Sequence, residues 1–360
     1  MAGRQVRNFY PGPGALPESV LLRIRAELLD YRGLGMSVME LSHRSEPIIE
    51  LIDATLAQIR RLLKLGDDYA VMLMQGGGTQ QFAMVPLNLS PPGGKVDYVD
   101  TCYWTAKAIA EARMLGRDVH VAATSAPDHR HIPRDLAVRS DASYLHICTN
   151  NTVVGTQWHR FPRVDVPLVA DMSSDILSRE IDATAFACIY AHAQKTLGPA
   201  GVTVVALRRD LLARAPAGLP TMLDYRPHAE HNSNFNTPPV FPIYVVKCVL
   251  DWLENEIGGV AAMEAINRGK AALLYAAIDR SSLFECKVAA DSRSLMNVVF
   301  RLPSPELDAR FVAQAAERGL VGLKGHRSAG GCRASLYNPV TFAAVEELVA
   351  FMGEFERHSA

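Results

Sequence analysis

The sequence predicts an α/β protein: a large unit with a mainly parallel sheet sandwiched by helices, then a smaller C-terminal α+β unit. Three observations carry this. Between residues 69 and 207, short apolar segments of strand length alternate with segments of helical periodicity, the pattern of a parallel sheet covered on both faces. Glycine-bearing turns punctuate the alternation, as at Gly76-Gly77-Gly78 and Gly116. After Gly258-Gly259 the pattern resets into fewer strands and longer helices. The expected division is 16–257 for the large unit and 258–360 for the small one, joined by the N-terminal segment 1–15.

Taken in order, residues 8–17 (NFYPGPGALP) form an irregular entry loop, because their prolines and glycines suit no regular element. Pro17-Glu18-Ser19 opens a helix with Val20, Leu21, Ile24 and Leu28 on its apolar face, ending before Gly33. Residues 36–45 are a loop. Residues 46–65 are a long amphipathic helix, with Ile48, Ile52, Leu56, Ile59 and Leu63 at helical spacing and Gly66 as its stop. Strands are expected at 69–74, 96–99, 119–122, 144–148, 166–170, 185–190 and 202–207, with helices over 79–88 and 103–115. Residues 216–242, rich in Pro, His and Asn, read as an irregular excursion toward the surface or a partner. Helices at 244–256, 260–279, 305–318 and 341–357, a strand at 297–302 and a short strand from 335 complete the chain.

Composition narrows the function. The 360 residues are 49% hydrophobic and 21% charged with a net charge of −1, which argues against nucleic acid or a charged membrane as partner. No apolar run approaches the roughly 18 residues of a membrane span. The N-terminus lacks a secretory apolar core. The 6 cysteines are scattered without a CxxC pair and read as small core residues, consistent with a reducing cytoplasm.

Lysine is scarce, which shortens the search for a Schiff-base residue. Lys64, Lys107, Lys247 and Lys270 fall on helices and read as solvated or snorkelling. Lys95 lies in a turn, and Lys287 abuts an edge strand. Lys195 and Lys324 sit beside glycine turns at the ends of apolar segments. Lys195, in AHAQKTLGPAG, is the candidate carrier of pyridoxal phosphate; a plain hairpin lysine is the alternative. Asp171 ends an apolar strand, where a carboxylate can pair with a pyridinium nitrogen and make the ring an electron sink, or merely cap the following serines. Gly76–Gly78 follows a strand and opens a helix, so bare N–H groups there suit a phosphate. Two basic pairs, His43-Arg44 and His326-Arg327, with Arg333 beyond, suit carboxylate or phosphate. His129-x-His131 has no further ligand at metal spacing, and no metal is expected.

With these residues in hand, the chain resembles the class V, fold type I pyridoxal-phosphate aminotransferases, and within them the phosphoserine branch. The blocks that carry the resemblance include GLGMSVMELSHRS at 33–45, ADMSSDILSREID at 170–182, YAHAQKTLGPAGVT at 190–203, SNFNTPP at 233–239 and KGHRSAGGCRASLYN at 324–338. The resemblance implies that Lys195 carries the cofactor and moves the substrate proton, with Gln194 helping to hold it. It implies that Asp171 pairs with the ring nitrogen, Trp104 stacks on the ring and Thr152 bonds a ring substituent. It further implies that Gly78 and Thr79 donate to the cofactor phosphate, and that Asn236 and Thr237 reach the phosphate of a neighbouring subunit, hence a homodimer. Arg333 would take the substrate α-carboxylate, and His43, Arg44, His326 and Arg327 the distal phosphate or γ-carboxylate. The implied activity moves the amino group of L-glutamate to 3-phosphohydroxypyruvate in cytoplasmic serine biosynthesis, with a step of pyridoxine biosynthesis as a further use. Tyr10-Pro11 stands where many relatives have a serine-containing turn, and Thr79 where some carry an arginine. An alanine–glyoxylate type aminotransferase, a cysteine desulfurase using Cys332 and a non-catalytic phosphate-binding protein are the alternatives.

Overall fold

The apolar runs that alternate along the chain also alternate in the direction of their side chains, and this builds the central sheet. The computed structural model describes residues 6–359; residues 1–5 of the expected joining segment, and Ala360, lie outside them. The described chain opens on β1 (Arg7–Asn8), α1 (Glu18–Glu27) and α2 (Glu46–Leu62). Then come β2 (Tyr69–Met74), α3 (Gly77–Leu89), β3 (Lys95–Asp100), α4 (Tyr103–Met114) and β4 (Asp118–Thr124). Four more strands follow: β5 (Leu145–Cys148), β6 (Leu168–Asp171), β7 (Cys188–His192) and β8 (Thr203–Arg208). Short helices α5 (Arg209–Leu212) and α6 (Tyr225–Glu230) lead to α7 (Val240–Asp251), which runs on as a π-helical turn, Trp252–Glu256. The rest is α8 (Val260–Arg280), β9 (Asn297–Phe300), α9 (Pro305–Glu317), β10 (Leu320–Val321), β11 (Cys332–Ser335) and α10 (Phe342–Arg357).

Among the described residues, one sheet has seven strands in the order β2-β8-β7-β6-β5-β3-β4. Only β8 runs against its neighbours, and the other pairings are parallel. Alternate residues feed two separate cores, as a strand's period of two requires. Val71, Leu73, Ile147, Ala170 and Ile189 pack with α2 and α7 on one face. Met72, Met74, Tyr98, Val169 and Tyr190 pack with α3 and α4 on the other. A third core gathers residues from α8 to α10 around interlocked Phe284, Phe300, Phe311, Phe351 and Phe355. Phe9 belongs to this third core, because β1 pairs in parallel with β10. No helix among the described residues is long and apolar enough to cross a membrane.

Several local expectations shift. Helix α2 stops at Leu62, not at 65, because Lys64 itself takes the left-handed conformation (φ 55°) that the sequence assigned to Gly66. Helix α3 starts at Gly77 rather than 79, which puts the glycines in its first turn. The strand expected at 185–190 is β7, displaced because Asp182 caps a tight 3-10 turn over Ala183–Ala185. The stretch 216–242 is not wholly irregular: it holds α6 and the start of α7, whose Pro242 sits in the first turn, where no N–H partner is lost. The last short strand ends at Ser335 instead of starting there, so Arg333 is a strand residue.

Lys270 is also not solvated. It is fully buried and donates to Leu336 O (3.1 Å), Tyr337 O (3.1 Å) and Val340 O (2.9 Å), three acceptors for the three N–H bonds of an ammonium. Lys270→Met orphans these carbonyls and should cost about 2–4 kcal/mol in a denaturant titration; a loss below about 0.5 kcal/mol would refute the staple.

Candidate active site

The carboxyl ends of parallel strands and the first turn of α3 meet at a cavity of about 210 Å³. Register places Cys148 beside Asp171, and Asp171 beside Tyr190, so β5, β6 and β7 end in line. Asp171 is buried in the cavity wall and accepts a hydrogen bond from Ser173 N–H at 2.9 Å. Burial raises its pKa, opposed by the charge of Lys195 and the bonds to Ser173. Ser173 Oγ accepts from His192 N–H at 3.1 Å, which ties the end of β6 to that of β7.

Beyond β7 the chain turns and returns as β8, and Lys195 occupies the turn. Its Nζ stands 5.8 Å from the Trp104 ring centroid. Trp104 Nε1 donates to Thr152 Oγ1 at 3.3 Å, joining α4 to the loop after β5. The N-terminal loop lies over the lysine: Gly14 N–H donates to Gln194 O at 2.8 Å. Gly12 has φ +143°, and a Cβ there would lie 3.5 Å from Lys195 Cγ. A side chain there would make only an ordinary contact with the lysine, so it is the positive φ that calls for glycine.

The N–H groups of the first turn of helix α3, like those at any helix start, have no intrahelical partner; no side chain caps them, and Gly78 and Thr79 line the cavity. A Cβ at Gly78 would come within 3.3 Å of Ser173 Oγ. These features fit pyridoxal phosphate: an amine on a turn, a flat indole, a buried carboxylate for a ring nitrogen and an uncapped helix start for a phosphate.

On the opposite wall Arg333, on β11, is nearly buried; its Nη1 donates to Thr152 O at 2.6 Å. Its Nε has no hydrogen-bond partner among the described residues, and burial lowers its pKa. His326 shares the cavity, and its pKa is lowered by burial, then by Arg333 and Arg327. Arg327 does not line the cavity. It stands with Lys107 near Tyr103, whose phenol pKa is pulled down first by Lys107 and then by Arg327. A larger cavity, about 420 Å³, lies beyond Tyr103 and Val153 but holds neither Lys195 nor Asp171.

The fold thus brings Gly78, Thr79, Trp104, Thr152, Asp171, Gln194, Lys195, His326 and Arg333 to one cavity. It does not bring His43, Arg44, Asn236 or Thr237 there. Elsewhere, Asn234 Nδ2 donates to His43 O at 2.9 Å, which ties the His43-Arg44 loop to the segment that carries Asn236 and Thr237, and Gln75 Nε2 donates to Thr237 O at 3.0 Å. Sequence reading missed His192, whose pKa is lowered by burial and by Lys195, and the strap residues Pro11 and Gly12. Position alone, three residues before the candidate lysine, could have singled out His192. Cys332 is buried in the third core, its thiol directed to Asp308 and its pKa raised by burial; no activated nucleophile stands there.

The profile of the aminotransferase class-V family matches residues 6–348. The chain is 53% identical over 356 residues to the phosphoserine aminotransferase of Desulfosudis oleivorans, covering 98% of this chain and 99% of that one. It is 52% identical over 360 residues to that of Geobacillus kaustophilus, covering 99% and 100%. The solved structure of phosphoserine aminotransferase from Bacillus circulans subsp. alkalophilus matches with a TM-score of 0.97 at 46% identity, over 100% of both chains.

Proposed function

The chain belongs to the aminotransferase class-V family, and from that premise we propose that it transfers the amino group of L-glutamate to 3-phosphohydroxypyruvate, giving O-phospho-L-serine and 2-oxoglutarate. The observation that carries this reading is the single cavity in which Lys195 and Asp171 face Arg333 and His326. The bound cofactor, pyridoxal phosphate, supplies an electron sink for the pair released at the substrate Cα.

The chain's own residues do the rest. Lys195 would hold the cofactor covalently, and its amine, when free, would serve as the base that takes the proton from the substrate Cα and as the acid that returns it. Asp171 would keep the ring nitrogen protonated. Gly78 and Thr79 present N–H groups to the cofactor phosphate, and Trp104 and Thr152 hold the ring. Arg333 takes the α-carboxylate that both substrates share. His326, with Arg327 behind it, takes the distal anion. In this reading residues 16–257 hold the cofactor and residues 258–360 bring in Arg333, with 1–15 as the joining segment.

His43, Arg44, Asn236 and Thr237 serve the site only if a second copy brings them. Exposed Leu34, Met36, Met39 and Ile49 flank the His43-Arg44 loop and supply apolar surface for such a homodimer. The place of work is the cytoplasm, in serine biosynthesis.

The purified protein should be yellow, bleach with L-glutamate and regain colour with 3-phosphohydroxypyruvate; a colourless protein that binds no pyridoxal phosphate would sink the reading. Arg327→Met should raise KM for 3-phosphohydroxypyruvate about twofold to fivefold, the value of a charge that acts from outside the cavity, and leave pyruvate nearly unaffected. Equal losses for both keto acids would refute the distal-anion assignment.

A further inference from the structure

Behind the cavity two asparagine amides meet, and every polar atom on both is used. Asn150 Nδ2 donates to Ser174 Oγ and to Asn297 Oδ1, each at 2.8 Å, and its Oδ1 accepts from the Ser294 hydroxyl. Asn297 Nδ2 donates to Ser335 Oγ at 3.0 Å and to Tyr337 OH at 3.3 Å. Tyr337 OH donates onward to Pro11 O at 2.6 Å. The two asparagines are 2% and 0% exposed. A saturated amide pair in a low-dielectric interior tolerates little displacement, since any shift leaves a buried group unpaired.

The ends of this network are the parts of the site. Asn150 lies two residues before Thr152, and Ser174 three residues after Asp171. Ser335 lies two residues after Arg333 on β11, where Ser335 pairs with Asn297 and Arg333 with Val299. Pro11 belongs to the strap over Lys195. Two bonds therefore cross side by side from the loop after β5 to the β9–β11 pair: Asn150 to Asn297, and Arg333 to Thr152 O. The second uses the recognition arginine itself. When a carboxylate draws on that guanidinium, the amide pair still holds the two walls in register.

We infer that Asn150 and Asn297 are positioning residues for α-carboxylate recognition, fixing how far Arg333 stands from the Lys195–Asp171 wall. This rests on the reading of Arg333 given above. Both substrates offer an α-carboxylate, so disturbing the pair weakens both equally and weakens a small keto acid such as pyruvate as well, whereas disturbing Arg327 spares a keto acid that has no distal anion.

The test uses the holoenzyme carrying Asn297→Ala. KM for L-glutamate and for 3-phosphohydroxypyruvate should rise by the same factor, roughly three- to tenfold, with kcat within about twofold. The dissociation constant of the non-reacting dicarboxylate glutarate, read from its perturbation of the cofactor absorption, should rise in step. The absorption maximum without glutarate should not move, because Asp171 and Lys195 are untouched. A lowered melting temperature with unchanged KM values would reduce the pair to a structural staple and overturn the inference, as would a loss confined to one substrate. If Asn297→Ala does not fold, Ser335→Ala removes one bond to the amide and should give the same pattern at smaller size; unchanged KM values there overturn it too. A wild-type enzyme indifferent to the substrate phosphate would count against the proposed function, while the L-glutamate and glutarate readings would still decide this inference.

Discussion

Lys195→Ala should abolish transamination, with kcat lower by at least about 10⁴-fold, or about 5.5 kcal/mol in the barrier. Two roles are lost at once. The variant has no amine to hold the cofactor covalently and none to carry the proton from Cα. Nothing in the turn replaces the amine: Gln194, Thr196 and His192 carry no primary amine that could form a Schiff base. Borohydride reduction followed by mass spectrometry separates the roles. Wild type should gain the mass of one reduced cofactor per chain, and Lys195→Ala should gain none. The fold should survive, since Lys195 belongs to no core and its turn is closed by backbone bonds such as Ala193 N–H to Val202 O at 2.9 Å. Covalent labelling retained in the variant would move the Schiff base to another lysine and dismantle the site assignment.

Lys195 was legible in the sequence for a local reason. It is a rare residue type between two apolar strands, beside turn formers, and a hairpin tip needs no distant information to be recognised. Asp171 was legible for the same reason, as a carboxylate at the end of an apolar run. The alternation of strands and helices could be read because strands such as β2, β7 and β8 are buried on both faces, so even single runs such as 69–74 stand out. What could not be read depends on pairs far apart in sequence. Arg333 and Thr152, Asn150 and Asn297, and Lys270 and the carbonyls of 336–340 meet only through the tertiary fold, and nothing in either neighbourhood announces the other. Lys270 misled because helical lysines are usually solvated. The two-residue strand β1 is too short for any periodicity, yet it places Phe9 in the third core and starts the strap over Lys195. The resemblance assigned His43, Arg44, Asn236 and Thr237 to the site, and one chain alone does not put them there.

Asp171→Asn should separate stability from chemistry. The carboxyl is buried, and burial raises its pKa above the unfolded value. The sign follows: between the unfolded and folded pKa the native state binds more protons, so this group's contribution to stability is present at low pH and lost as pH rises. At neutral pH the ionised Asp171 is therefore a cost to the cofactor-free protein. Asparagine keeps the shape and can still accept from Ser173 N–H, so the cofactor-free variant should melt at a higher temperature than wild type at pH 7. At pH 3 that advantage should shrink, because the wild-type carboxyl is then protonated in both states. Catalysis should move the other way. Without a negative partner the ring nitrogen loses its proton and the cofactor its capacity to take up the Cα electron pair. We expect kcat to fall about 10²–10³-fold, or about 2.7–4 kcal/mol, in both half-reactions, since each passes through the same deprotonation at Cα. Single-turnover absorbance with L-glutamate and with 3-phosphohydroxypyruvate, set beside melting curves of the cofactor-free protein, tests both halves of the argument. A variant that is both less stable and slower would make Asp171 a structural cap on Ser173, and near-normal turnover would remove it from the chemistry.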